Sequence, residues 1–336
     1  MTISDFRSDT VTRPTPAMRR AMADAEVGDD VFEEDPTVRR LEEETAEILG
    51  FEAALFCPTG TMGNQICLRV HARSGMEVIA DSRSHIFTFE LGALASLSGL
   101  MPRPIEAPRG VLSAALVLPQ IQPDLSFRAR TGVIVIENTH NMAGGVVTPR
   151  AAIDGILALA AAQRLPVHLD GARLWNASVA AGLPEREMAR GFSSAMVAFS
   201  KGLRAPAGSC VVGSAELIRE ARRVRKLFGG GMRQVGVLAA AARVALAEER
   251  SRLAEDHANC RRLAEGLGVD PAGVETNILL VETPDATRTT AALRDRGVLA
   301  LPAGPTAMRF VTHADVGPSD VEKAIEGFHA AVRGGK

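Results

Sequence analysis

The chain has 336 residues, 46% hydrophobic and 23% charged, so it is long enough to bury a sizeable core in one large domain with a smaller one beside it. Its formal net charge of −2 gives no electrostatic reason to bind nucleic acid or an anionic membrane. The N-terminus is polar and charged without an apolar signal region, and no stretch approaches the ~20 apolar residues of a membrane span, so we expect a soluble, cytoplasmic protein.

Taken in chain order, the first forty residues (1–40), with three prolines and the acidic stretch "GDDVFEEDP", predict an arm and not a domain. In residues 41–250, short β-branched runs such as "AALFCPTG", "MEVIADS" and "GVIVIENTHN" alternate with longer helical patterns. This alternation predicts a large α/β domain with a mainly parallel sheet covered on both faces. Ligands of such sheets bind beyond the carboxyl ends of the strands.

The sequence changes character near residue 250, and residues 251–336 predict a smaller α+β domain, packed with the N-terminal arm. A helical segment over 249–267 precedes the strand-like "TNILLVETP" and the helical "ATRTTAALRDRG". The strand-like "TAMRFVTH" and a last helix from Ser319 follow.

The cysteines, Cys57, Cys67, Cys210 and Cys260, have neither CxxC spacing nor a histidine pattern beside them. This argues against a zinc site or a disulfide framework, so we expect reduced thiols and no metal.

Lysine is rare here: the 38 basic Lys and Arg residues include only four lysines, Lys201, Lys226, Lys323 and Lys336. Lys201 follows the apolar run "SAMVAFS", at a predicted strand end. A deprotonated lysine amine forms an imine with an aldehyde, which a guanidinium does not, and apolar surroundings lower a lysine pKa. An ordinary loop lysine is the alternative interpretation, but rarity and position favour function.

Asp170 and Arg173, in "HLDGAR", follow the strand before Lys201. A carboxylate here can keep the pyridine nitrogen of a cofactor protonated, so that the ring accepts an electron pair. The alternative is that Asp170 merely caps a helix, and the adjoining Arg173 favours the cofactor.

Three further features complete a candidate pyridoxal phosphate site. The turn "TGTMGN", with Gly60 and Thr61, joins a strand to a helix whose free N–H groups can bind phosphate, although glycine turns at such junctions are common. His85 can lie over the pyridine ring, or can simply begin a helix. Arg309 can bind an amino-acid carboxylate, or can be a solvated strand residue.

Several motifs together make the chain resemble the L-threonine aldolases of the β-eliminating lyase branch of fold-type I pyridoxal phosphate enzymes. They are "RSDTVTRPT", "GDDVFEEDPTV", "EAALFCPTGTMGNQ", "DSRSHIF", "ENTHN", "VHLDGARLWNA", "SKGLRAPAGS", "GGGMRQ" and "RFVTH", which span nearly the whole chain. The resemblance implies a seven-stranded, mainly parallel sheet with a smaller C-terminal α+β domain. It also implies retro-aldol cleavage of L-threonine or L-allo-threonine to glycine and an aldehyde, with pyridoxal 5'-phosphate as cofactor.

The resemblance also implies roles for the cofactor-binding residues. Lys201 would form the imine with the cofactor aldehyde, and Asp170 would pair with the pyridine nitrogen. Arg173 would contact the phenolic oxygen of the cofactor on the substrate side, while Gly60 and Thr61 would hold the phosphate.

By the same resemblance, His85 would stack on the ring. We expect either His85 or a bound water to take the β-hydroxyl proton. Ser8 and Arg309 would bind the substrate carboxylate. The site would lie at the interface of a homodimer, itself half of a homotetramer. There Lys226 and Arg233 would reach the phosphate region of the neighbouring chain.

The sequence departs from the family pattern in two places. Phe32 and Glu33 stand where "VYGEDP" is expected, and Ser126 and Phe127 occupy the region where family members often carry a histidine near the substrate hydroxyl. The second departure leaves the stereochemical preference at the β-carbon open. Phe87 or Phe89 would supply an apolar wall for the substrate side chain.

Two other functions stay open on the sequence. One is a different pyridoxal phosphate lyase, acting on a bulkier β-hydroxy acid such as phenylserine or by β-elimination. The other is a Rossmann-type oxidoreductase or nucleotide-binding protein, against which the absence of GxGxxG counts. The absence of tyrosine removes the phenol that many fold-type I enzymes place in the site.

Overall fold

Apolar runs form the strands of two sheets and a short strand pair in the computed structural model, which describes residues 3–333. The strands are β1 Ser4–Asp5, β2 Ala53–Cys57, β3 Glu77–Asp81, β4 Met101–Ile105, β5 Thr131–Glu137, β6 Val167–Gly171, β7 Ser194–Ala198, β8 Ser209–Gly213, β9 Ile278–Glu282, β10 Val298–Leu299, β11 Leu301–Gly304 and β12 Ala307–Val311. The helices are α1 Pro16–Ala23, α2 Pro36–Leu49, α3 Gly60–His71, α4 His85–Thr88, α5 Ala93–Ser98, α6 Ala114–Val117, α7 Arg150–Gln163, α8 Leu174–Ala181, α9 Glu185–Ala189, α10 Ala215–Leu227, α11 Gly236–Glu248, α12 Leu253–Gly266, α13 Ala286–Arg294 and α14 Pro318–Arg333.

Within residues 3–333 the large sheet has seven strands in the order β2-β8-β7-β6-β5-β3-β4. Only β8 runs opposite to the others, pairing antiparallel with both β2 and β7. The carboxyl ends of β2, β3, β5, β6 and β7 therefore lie along one edge, where ligands of open α/β sheets bind. The predicted mainly parallel α/β sheet is confirmed.

Two successive residues of β2 show that helices cover both faces of this sheet. Leu55 packs into an apolar cluster with Ile66 of α3, whereas Phe56 packs with Leu41 of α2. Successive side chains of a strand point to opposite faces, so the strand is apolar throughout when both faces are covered. The unbroken apolar runs in the sequence have this cause.

Strand β4 was not predicted from the sequence. Its residues, "MPRPI", include Pro102 and Pro104, which have no N–H group to donate to a neighbouring strand. The strand is nevertheless formed because it is the outermost of the sheet and pairs only with β3. Proline is tolerated at such an edge.

The small C-terminal domain is built on the antiparallel sheet β11-β12-β9, and the start of the chain packs into it. β1 pairs in parallel with β10, with Ser4 opposite Val298. Phe6 is fully buried, and its ring lies 6.1 Å from that of Phe310, centroid to centroid. The hydrophobic core of this α+β unit thus includes a residue of the N-terminal arm.

Across the described chain, no helix combines the length and the apolar character that crossing a bilayer would require.

Candidate active site

Asp170 and Lys201 lie at the same edge of the large sheet. Asp170 is the fourth residue of β6, and Lys201 follows the end of the adjacent strand β7, with Asp170 opposite Met196 in the register. Asp170 is 1% exposed, and its Oδ1 accepts a hydrogen bond of 3.2 Å from the N–H of Ala172. The structure therefore brings together the two residues that carry the sequence argument.

Burial lowers the pKa of the Lys201 ammonium group, and the positive charge of Arg173 lowers it further. Asp9, Asp170 and Glu137 act in the opposite direction, and the net direction is downward. No carboxylate within residues 3–333 lies within salt-bridge distance of the ammonium group. This setting favours the neutral amine, which is the nucleophilic form.

Arg173 is held by a residue that the sequence reasoning missed. Its Nε and Nη2 donate hydrogen bonds of 2.8 Å to Oδ2 and Oδ1 of Asp9, and both side chains are almost fully buried. Asn277 Nδ2 also donates to Asp9 Oδ2, at 3.3 Å. Burial alone would raise the pKa of the Asp9 carboxyl, but the charge and the hydrogen bonds of Arg173 hold it at about 2. Asp9 is therefore ionised at neutral pH.

His85 begins the short helix α4, beyond the end of β3. Its backbone N–H donates to Glu137 Oε2 at 2.7 Å, and its ring Nδ1 lies 2.9 Å from Glu90 Oε1. Burial opposes a charge on the imidazole, but the hydrogen bond to Glu90 and the charges of Asp170 and Glu90 raise the pKa of His85 above its ordinary value. The ring lies 5.6 Å from that of Phe89, centroid to centroid.

Glu90 lies where the segment "HIFTFELGALASLSG" divides into two short helices, α4 and α5. Leu91 and Gly92 adopt φ values of 52° and 70°, which end α4 and begin α5 separately. The break lets the Glu90 side chain point into the protein, where it is 0% exposed. In the sequence, this break could have been recognised from an acidic residue, Glu90, that stands inside an apolar run directly before Leu-Gly. Phe87, by contrast, packs against the core, and Phe89 is 49% exposed beside His85.

Gly60 and Thr61 form the N-terminal turn of α3, directly after β2. Thr59 caps the helix by accepting a 3.1 Å hydrogen bond from the N–H of Met62. The N–H groups of the first helical residues have no intrahelical acceptor and can bind an anion. A Cβ atom added to Gly60 would lie 3.3 Å from the Met196 side chain, so glycine keeps this turn close to the sheet.

Arg309 of β12 contacts the arm at Arg7, the residue before Ser8, whose own hydroxyl accepts a hydrogen bond from the N–H of Thr10 at 3.2 Å. The guanidinium of Arg309 donates from Nη2 to the carbonyl of Arg7 at 3.2 Å and from Nη1 to Asn141 Oδ1 at 2.9 Å. The Asn141 N–H in turn donates to Glu137 Oε1 at 2.8 Å. One carboxylate, Glu137, thus fixes both the start of α4 and Asn141, the residue that orients Arg309. The first and last residues of the "ENTHN" motif therefore position His85 and Arg309.

Lys226 and Arg233, which were predicted for the site, lie on the surface of the single chain, as do Ser126 and Phe127, where the sequence departs from the family pattern. Lys226 lines a groove of about 990 Å³ between α2 and α10, and Arg233 is 76% exposed, 3.7 Å from Asp29. Neither makes a hydrogen bond or ion pair with Lys201 or Asp170 in the part of the chain described. Ser126 and Phe127 are exposed in the segment before β5.

Comparison with known proteins agrees with this geometry. The model of the family described as Beta-eliminating lyase matches residues 5–285. Low-specificity L-threonine aldolase 1 of Arabidopsis thaliana is 42% identical over 343 residues, covering 98% of this chain and 96% of that protein. The low specificity L-threonine aldolase of Escherichia coli strain K12 is 42% identical over 318 residues, covering 93% and 94%.

A solved structure of Leishmania major threonine aldolase shares the fold. It superposes with a TM-score of 0.81 at 21% identity and covers 98% of this chain and 99% of its own. The sequence and fold comparisons agree along nearly the whole chain, so the resemblance read from its motifs is confirmed: the protein belongs to the β-eliminating lyase family.

Proposed function

We propose that this protein cleaves L-threonine, L-allo-threonine and related β-hydroxy-α-amino acids into glycine and an aldehyde, with pyridoxal phosphate as its cofactor. The observation that carries the proposal is the single edge at which a lysine with a lowered pKa, a buried aspartate and a helix N-terminus meet. The names of the relatives, low-specificity L-threonine aldolases, support the substrate class.

The residues present fit pyridoxal phosphate. The Lys201 amine suits its aldehyde, the Asp170 carboxylate suits a protonated ring nitrogen, and the N–H groups of Gly60 and Thr61 suit its phosphate. Arg173, fixed by Asp9, presents a cation to the phenolic oxygen. Bound there, the cofactor supplies an electrophilic carbon for the substrate amine and a ring that accepts the electron pair of the broken Cα–Cβ bond.

The remaining steps fall to side chains of the protein. Arg309, with Ser8 beside it, binds the substrate carboxylate and fixes the orientation of the amino acid. His85, itself or through a water, removes the proton of the β-hydroxyl group. Lys201 would hold the cofactor through its aldehyde when no substrate is bound.

A second copy of the chain completes the proposed site. Lys226 and Arg233 are exposed here, and we propose that they reach the phosphate region of the partner in a homodimer, two of which form a tetramer. For the chain itself we propose the division 1–40, 41–250 and 251–336 into arm, large domain and small domain. The burial of all four cysteine thiols is compatible with a reducing, cytoplasmic location.

A lyase for bulkier β-hydroxy amino acids such as phenylserine is the second candidate. The exposed Phe89 ring beside His85 favours it, because an aromatic wall accommodates an aromatic side chain. Product analysis distinguishes the classes: a retro-aldol reaction yields glycine and an aldehyde, whereas β-elimination yields ammonia and a keto acid. Comparing threonine with phenylserine as substrates then ranks the two aldolase assignments.

The direct test of the proposed function is to locate the imine. The purified protein is mixed with pyridoxal phosphate, reduced with borohydride and digested, and the modified lysine is identified by peptide mass. Modification at Lys201 is expected, together with bleaching of the visible band. Modification at Lys226 instead would overturn the assignment.

A further inference from the structure

The side chain of Asn64, on α3, lies between two buried carboxylates. Its Nδ2 donates hydrogen bonds to Asp170 Oδ2 at 2.8 Å and to Glu90 Oε1 at 3.0 Å, and the residue is 1% exposed. An amide nitrogen carries two hydrogen atoms, so each carboxylate receives one. The amide must point its nitrogen toward them, because an amide oxygen in that place would face two acceptors.

The other end of Asn64 fixes this orientation through a chain of hydrogen bonds. Its Oδ1 lies 3.1 Å from His168 Nε2, which must therefore carry the ring proton. His168 Nδ1 then accepts from Ser194 Oγ at 2.8 Å, and Ser194 Oγ accepts from His71 Nε2 at 2.7 Å. Burial lowers the pKa of His168 to about 3 and that of His71 to about 4. Both rings are neutral at neutral pH, so the chain supplies orientation without charge.

Both carboxylate oxygens of Glu90 have hydrogen-bond donors within reach. Its Oε1 accepts from Asn64 and lies 2.9 Å from His85 Nδ1, and its Oε2 accepts from Gln65 Nε2 at 2.6 Å. One ligand atom from each of Glu90, His85 and Asp170 lies within 4.8 Å of the others. Two carboxylates are thus held close together and away from solvent, with the Asn64 amide as their shared hydrogen-bond donor.

We propose that Asn64 and Glu90 are positioning residues: the Asn64 amide binds both carboxylates and fixes their orientation, so that Asp170 can bind a proton on the cofactor nitrogen while Glu90 binds the ring N–H of His85. The Asp170 half of this inference rests on the proposed function. The Glu90 half concerns His85 in the protein itself and does not depend on the cofactor.

Each group that faces His85 shifts the pKa of its ring in a defined direction. Glu90 and Asp170 favour its protonated form, Lys201 and burial oppose it, and Phe89 is uncharged. Glu137 binds the backbone N–H of His85 and leaves its ring free. Glu90 is the anion in direct contact with the ring, so removing its charge has a defined effect on His85.

Glu90→Gln and Asn64→Asp test the two halves. In Glu90→Gln, which keeps the shape of the side chain, the His85 ring should titrate about 1 pH unit or more lower than in the unchanged protein. The titration is followed by NMR of the histidine ring protons, with His85→Asn assigning the signal. Glu77→Gln is the control, because Glu77 is also buried but pairs with Arg103 at the other end of β3.

In Asn64→Asp, a third carboxylate replaces the shared donor. The dissociation constant for pyridoxal phosphate should rise about tenfold or more, and the visible absorbance of the bound cofactor should change its pH midpoint. Asn259→Asp, at a partly exposed asparagine of α12 that donates to the Val316 carbonyl, is the control. If Asn64→Asp does not fold, as judged by circular dichroism, Asn64→Ala carries the same expectation.

Each half has its own contrary outcome. An unchanged His85 titration in Glu90→Gln would overturn the role of Glu90. An unchanged cofactor affinity and absorbance profile in the Asn64 variant would overturn the role of Asn64. If the unchanged protein bound no pyridoxal phosphate at Lys201, the proposed function would fail, and the His85 titration would still decide the Glu90 half.

Discussion

The Asp9 carboxylate binds both Nε and Nη2 of Arg173 at 2.8 Å, although the two residues are 164 positions apart in the sequence. The same geometry occurs on the surface, where Arg7 Nε and Nη2 donate to Asp5. One pair is buried and the other is exposed, so the chain contains a matched comparison of an ion pair in two environments.

Asp9→Asn should therefore destabilise the protein far more than Asp5→Asn does. Removing Asp9 leaves the Arg173 guanidinium buried without a counter-charge, which costs about 3–5 kcal/mol, whereas an exposed pair contributes about 0–1 kcal/mol. Urea unfolding followed by circular dichroism measures both changes. Equal changes in the free energy of unfolding would show that the buried pair contributes no more to stability than the exposed pair.

The pH dependence of stability should also depend on Asp9. The pKa of Asp9 is about 2 in the folded protein and near the ordinary aspartate value of 3.8 when unfolded, so its contribution is fully present above about pH 4 and is lost as the pH falls toward 2. The free energy of unfolding of the unchanged protein should thus fall by about 2 kcal/mol more over this interval than that of Asp9→Asn. If the free energy of unfolding changed with pH in the same way in both proteins, the lowered pKa of Asp9 would be contradicted.

Lys201→Ala should abolish the borohydride-reducible absorption band. Turnover of threonine should fall below detection, because the amine that binds the cofactor is lost. Lys323→Ala, on α14 of the small domain, should retain both the band and the activity. Normal turnover by Lys201→Ala would disprove the mechanism.

Asn141→Ala should raise the KM for threonine by roughly tenfold with a smaller change in kcat. Asn141 Oδ1 accepts a 2.9 Å hydrogen bond from Arg309, and a hydrogen bond to a charged group contributes about 1.5–3 kcal/mol. Steady-state kinetics with Asn259→Ala as control measures the effect. A fall in kcat at constant KM would assign Asn141 to the chemical step instead.

Sequence reasoning located the residues that follow strands. Asp170 and Lys201 were predicted to share a sheet edge because apolar runs end just before them, and β6 and β7 are indeed neighbours. Asn64 and Asp9 were missed, since their partners lie 106 and 164 positions away and no local pattern records such distances. The proline strand β4 was missed because its only favourable condition, an edge position, is a property of the whole sheet.

The roles of Lys226 and Arg233 stay predictions for a related reason. Both are exposed in one chain, and what they contact depends on a second copy. Tertiary contacts within a strand-helix unit can be read from spacing, whereas contacts between distant segments or between copies depend on surfaces that form only after folding.

The pairing of β1 with β10 has a consequence for the order in which the protein is made. The arm is synthesised well before its partners, since Ser4 lies opposite Val298 and the carbonyl of Arg7 accepts from Arg309. A nascent chain halted before residue 278 would already contain Lys201, Asp170 and Arg173, and would lack the strands that fix the arm. The cofactor half of the site can therefore assemble during translation, while the half that binds the substrate carboxylate must await synthesis of the small domain.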